Sequence, residues 1–172
     1  VTFKGHSADI HNKESDRYTS MEYDSSDNIC IFYNVNKIAL YYSQSQKYIV
    51  LPSYFLSSLK ISTVLGITTD RYSNVYLLDN NKLIIYNLKT NKVRYIICNF
   101  ALADAYIKAY SNTLIIAGKF GLASGHINGP LSISQFKVAV NYKKYNKINR
   151  LVISDYGMVY MNTDKGIISL NA

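Results

Sequence analysis

The stretch "TTDRYSNVYLLDNNKLIIYNLKTNKVRYIIC", Thr68 to Cys98, decides how the chain is read. It runs through an Asp, a polar turn and an Asn, then a strand-like run, an Asn-rich turn, a second run, a polar turn and a third run. The runs are four to seven residues of Val, Leu, Ile and Tyr, bounded by Asn, Asp, Ser and Lys, the pattern of short strands joined by tight turns. Asp, Ser, Gly and Asn suit those turns because they bond to their own backbone or tolerate left-handed conformations.

The same logic recurs along the chain. "YDSSDNICIFYNVNKIALYYSQSQKYIVLP" opens a first unit, "DAYIKAYSNTLIIAGKFG" forms an irregular third, and "VISDYGMVYMNTDKGIISL" a fourth. The runs centred on Ile29, Val75, Leu114 and Val159 are 46, 39 and 45 residues apart. No stretch sustains helical periodicity for long, so the sequence predicts an all-β fold with up to four strands per unit. That period is the one of β-propeller blades, whose small sheets must stack on neighbours to bury both faces. "ADAYIKAYSN" (Ala103–Asn112) also admits a helical reading, which would give an α+β fold instead.

The fourth unit, together with "AGKFGLASGHINGPLSISQF" (Ala117–Phe136), resembles the NHL-repeat β-propellers. In that family a strand running into Ala-Gly is followed by a Gly-punctuated connector, Gly-Pro, a Phe, and then the next blade's Asp, Gly, Asn and Tyr. Here Ala117, Gly118, Gly121, Gly125, Gly129, Pro130 and Phe136 stand at those places, followed by Asp155, Gly157, Val159 and Tyr160. Asp70, Asn74, Val75, Tyr76 and Asp79 match the signature in the second unit, and Asp24 and Asn28 match it faintly in the first. Ser73 replaces the usual turn glycine, "FKVAVNYKKYNKINR" exceeds the usual connector, and the third unit lacks the Asp. Four units are fewer than the six blades common in that family, which leaves part of a larger six-bladed propeller, a compact four-bladed ring or a divergent member, over residues 17–172 after a flexible segment 1–16. The resemblance makes the glycine-rich stretch a blade-to-blade connector.

Composition sets outer limits. The chain has 172 residues, 48% hydrophobic and 17% charged, enough for one domain with a sizeable core. No apolar run approaches the length of a transmembrane helix. The sequence begins at Val1, so an upstream segment, with any targeting signal, is expected to have been removed. Localisation is therefore unreadable; the lack of Asn-x-Ser/Thr sequons leans slightly toward an interior compartment or an unglycosylated protein. Cys30 and Cys98 lie in strand-like runs without metal-ligand spacing and are expected as buried free thiols rather than as a disulfide.

Candidate chemistry is sparse. The glycine-rich stretch lacks the Lys-Ser/Thr and the following helix that a phosphate cradle needs. His6, Asp9 and His11 could place metal ligands together, but a polar N-terminal tail explains them better. With His126 they are the only metal-suited histidine group, too few for the zinc sites of NHL-like lyases. Asp24, Asp70, Asp79, Asp155 and Asp164 could form a carboxylate ring, yet repeated Asp at strand ends more often caps turns. No nucleophile motif is present, and no cofactor is expected.

Charge says more. Nineteen basic residues against eleven acidic give +8, favouring anionic partners. The densest basic run is Lys137, Lys143, Lys144, Lys147 and Arg150, interleaved with Tyr142 and Tyr145, a composition suited to gripping phosphates and stacking on bases. The expected function is a non-enzymatic propeller that binds a partner protein. RNA or another polyanion held by residues 137–150 is the alternative, and a divergent metal-dependent propeller enzyme the third.

Overall fold

The computed structural model describes residues 20–24, 29–33, 38–51, 53–140, 148–154 and 156–171. Segment 1–16 lies outside them, as do Tyr142, Lys143, Lys144, Tyr145, Lys147 and Asp155.

The fold is all-β, with antiparallel sheets in chain order. Sheet 1 is β1 (Ser20–Asp24), β2 (Ile29–Tyr33), β3 (Ile38–Tyr42) and β4 (Lys47–Leu51). After helix α1 (Ser53–Ser58) comes sheet 2, with β5 (Gly66–Thr69), β6 (Asn74–Asp79), β7 (Lys82–Asn87) and β8 (Lys92–Ile97). Sheet 3 holds β9 (Tyr106–Tyr110), β10 (Thr113–Gly118) and β11 (Gly121–Gly129), with an outer strand split into β12 (Ser132–Ile133) and β13 (Lys137–Val140). Sheet 4 is β14 (Ile148–Ile153), β15 (Met158–Thr163) and β16 (Gly166–Asn171). Among the described residues no sheet closes on itself. One sheet per sequence unit is what the repeat predicts.

The first strands of successive sheets lie side by side: β1 contacts β5, β5 contacts β9, and β9 contacts β14. The amide of Ala109 in β9 donates to the hydroxyl of Thr68 in β5 at 3.2 Å, tying two of these strands directly.

Period-two alternation divides the core into three layers between sheets. Val75, Leu77 and Ile84 point to sheet 1, where they meet Ile31, Ile38 and Leu40. Their neighbours Tyr76, Leu78, Leu83 and Ile85 point the other way, onto Ile107, Leu114 and Ile116 of sheet 3. Ile115, Ala117 and Leu122 then pack on Leu151, Val159 and Met161 of sheet 4. Because the central strands of sheets 2 and 3 are covered on both faces, they read as continuous apolar runs rather than as clean alternation.

Two readings differ from the structure, and one short helix has no counterpart in the sequence pattern. Ala103–Asn112 contains strand β9, not a helix, because Ile107 must reach the layer against sheet 2. The glycine-rich stretch is not a connector between sheets: Ala117 to Gly129 makes the β10–β11 hairpin inside sheet 3, turning at Lys119 and Phe120. Gly125 sits where an added Cβ would lie 3.1 Å from Ile133 and 3.3 Å from Phe136, so close side-chain packing is one reason for a glycine there. Finally, α1 was not legible as a helix. It ends in two bonds, Ile61 N–H to Leu56 O at 3.0 Å and Lys60 N–H to Ser57 O at 2.9 Å, with Lys60 at φ 52°. That is a Schellman ending, with Leu56 and Ile61 packed in one cluster.

Candidate functional site

The recurring aspartates are the residues with most chemical potential, and their geometry is that of turn supports. Asp70 is 2% exposed and sits in the four-residue turn between β5 and β6. One carboxylate oxygen accepts the amides of Tyr72 (2.8 Å) and Asn74 (3.0 Å). The other accepts the Asn74 side-chain amide (2.8 Å) and the Tyr76 hydroxyl (2.6 Å). Burial, reinforced by this bond to Asp70, pushes the Tyr76 hydroxyl far above the ordinary tyrosine range.

Asn74 extends the network to the next sheet. Its side-chain nitrogen donates to Gly129 O at 3.2 Å, and its oxygen accepts Leu131 N–H at 3.0 Å and the Asn87 amide at 2.9 Å. Each buried polar atom of this group therefore has a partner, which is what burial demands. Ser73, standing where the family pattern has glycine, takes φ 63° all the same.

The fourth unit shows the same turn with other residues. Ser154 Oγ accepts Met158 N–H at 3.1 Å, and Gly157 at φ 80° donates to Ser154 O at 3.0 Å. Six residues separate Ser154 from Tyr160 as they separate Asp70 from Tyr76, so Ser154 rather than Asp155 holds the place of Asp70.

Asp79 lies at the opposite end of β6. Burial alone would raise its carboxyl, but bonds from Asn80 N–H (2.8 Å), Ser62 Oγ (2.9 Å) and the Lys82 ammonium (3.4 Å) outweigh it and hold the group below the usual value. Asp164 sits in the turn that follows β15, and Asp24 ends β1. The acids are thus divided between two ends of the sheets. Among the described residues no three His, Cys, Asp or Glu side chains converge to hold a metal ion. His6, Asp9 and His11 lie outside those residues.

Of the predicted basic segment, Lys137 and Arg150 are placed, both exposed. Lys137 pairs with Ser124, whose face of sheet 3 turns toward sheet 4. Arg150 precedes buried Leu151 and so projects from the face of sheet 4 turned away from sheet 3. The structure therefore sets these two ends on different sides of sheet 4.

That outward face of sheet 4 escaped the sequence reading. Tyr160 occupies the register position of Tyr76, yet it is 40% exposed where Tyr76 is fully buried. Val152 pairs with Tyr160, and Ile167, at 77% exposure, pairs with Asn162 on the same face.

The fold has known likenesses. Two crystal structures of the extracellular domain of BT4673 from B. thetaiotaomicron share it, with TM-scores of 0.57 and 0.60 at 11% and 12% identity. That protein is described in one case as a one-component system and in the other as a hybrid two-component system. The matches cover 88% and 90% of this chain but 20% of the BT4673 chain in each case, so this chain spans about a fifth of its length. No family model and no curated protein matches the sequence.

Proposed function

We propose that the chain is a non-enzymatic array of NHL-like β-propeller blades that binds a partner protein. The observation that carries this is the open face of sheet 4. In sheets 2 and 3 the equivalent faces are covered by the next sheet, whereas Val152, Tyr160 and Ile167 meet solvent. Apolar side chains grouped on one sheet face mark an interaction surface, and stacked repeats need a polar end when nothing covers them. The adjacency of the first strands supports radial stacking of blades. The binding of Asp70 and Asp79 into their own turns supports a structural rather than catalytic role for the repeated acids.

A photo-cross-linking residue at position 167 tests it, with position 84 as a buried control, in the cells that make the protein. A discrete adduct with a second polypeptide, lost on Val152→Asp, is expected. Adducts within the chain alone, or one indifferent to Val152→Asp, would refute the reading.

A second reading draws on the exposure of Lys137 and Arg150, neither of which joins an ion pair among the described residues; as they lie on different sides of sheet 4, a polymer that meets both must pass around its edge. RNA or another polyanion would then bind Lys137, Lys143, Lys144, Lys147 and Arg150, with Tyr142 and Tyr145 stacking. Retention on RNA should fall steeply with salt and weaken on charge reversal of Lys143, Lys144 and Lys147. No retention at low salt would exclude it.

A further inference from the structure

A cleft of about 400 Å³ opens at the rim between sheets 2 and 3, where the outer strand of sheet 3 breaks between β12 and β13. Two bonds shape the break: His126 N–H donates to Ser134 Oγ and Ser134 N–H to His126 O, each at 2.8 Å. On one side the cleft is bounded by Arg94, Ile96 and Cys98, on the other by Ile133 and Phe136, with Phe100 between them. Phe100 meets Phe136 edge to face, ring centroids 6.4 Å apart, and stacks tilted on Phe120 at 4.2 Å. Phe100 and Phe136 are thus fixed by packing and give the cleft one apolar wall, while Asn99, Ser134 and Gln135 add polar groups to the rest of its lining.

The mouth carries one charge. The register puts Arg94 on the face of β8 that looks toward sheet 3, beside Ile85 and Tyr76. It spans the gap to donate to Leu131 O at 3.0 Å, which orients the guanidinium. That acceptor is neutral, no carboxylate lines the cleft, and Arg94 forms no ion pair among the described residues. Burial raises the Cys98 thiol, so it adds no negative charge to the site.

We propose that this cleft binds a small carboxylate with an apolar body: Arg94 takes the carboxylate, and Ile96, Phe100, Ile133 and Phe136 take the hydrocarbon. The volume lies at the small end of ligand sites, and a guanidinium offers a carboxylate a paired set of donors that a neutral headgroup cannot exploit.

The test compares 3-phenylpropionate with 3-phenylpropan-1-ol by amide shift titration of the whole chain. The acid should move the amides of residues 94–100 and 131–136 and bind more tightly than the alcohol. Arg94→Gln should weaken the acid by about tenfold, the scale of one charge-assisted hydrogen bond, and leave the alcohol unchanged. Unchanged binding of the alcohol also reports that the variant's cleft is intact, and Arg94→Lys should fall between. Equal affinity for acid and alcohol, an acid response indifferent to Arg94→Gln, or no shift in these segments at millimolar ligand overturns the proposal.

Discussion

Asp70 gathers four hydrogen bonds on a side chain that water hardly reaches. Asp70→Ala leaves buried donors on Asn74 and Tyr76 unpaired, so it should cost about 3 kcal/mol in denaturant unfolding. Tyr76→Phe removes one of those bonds and should cost about 1 kcal/mol. Asp79 makes a prediction about pH. Its carboxyl is held below the ordinary value of 3.8, so the stability it contributes is full above about pH 4 and is lost as pH falls through its folded value. Asp79→Asn should therefore flatten the acid limb of an unfolding-midpoint curve between neutral pH and pH 3 or so. Asp70, Asn74 and Tyr76 were legible in the sequence as a turn signature. What was not legible is that Asn74 reaches Leu131, 57 residues on, because that bond exists only once two sheets have stacked. Nor was Ser154 legible as the counterpart of Asp70, since a hydroxyl there does what one carboxylate oxygen does, and neighbouring Asp155 draws the eye.

Strands were read well and their joints less well. The centres Val75, Leu114 and Val159 fall on the second strands of sheets 2, 3 and 4, each facing the preceding sheet, because turn residues and apolar runs are local signals. The glycines of Ala117–Gly129 resemble loop punctuation, although the segment forms a hairpin inside sheet 3. In the strand, Gly125 makes room for Ile133 and Phe136. Gly125→Ala should accordingly destabilise by about 1–2 kcal/mol through overpacking, read from the thermal midpoint. Helix α1 was hidden because Lys60, not glycine, supplies the left-handed residue at its end. The layered core gives a second prediction. Leu77 and Ile116 belong to separate layers, so Leu77→Ala and Ile116→Ala should each cost about 2–4 kcal/mol, and the double variant about their sum.

Across the molecule, the central strands of sheets 2 and 3 are covered on both faces and those of sheet 4 on one, which orders local stability. Native-state hydrogen exchange should be slowest in β6, β7 and β10 and clearly faster in β16, and equal protection throughout would contradict the layered core. The number of sheets was readable from the repeat period, whereas the bare face of sheet 4 was not, because Val152, Tyr160 and Ile167 look like any buried strand residues until their neighbours are placed. The side-chain bonds from Asn74 to Gly129 and Leu131 carry a consequence for how such a protein can be cut and rebuilt. A break in the linker at residues 98–105 is the natural seam between two sheets, yet it would strand that amide away from the hairpin that satisfies it. The transferable piece is therefore offset from the visible sheet: a graft or gene fragment that carries Asn74 must also bring residues 129–131, or find a host hairpin offering the same carbonyl and amide.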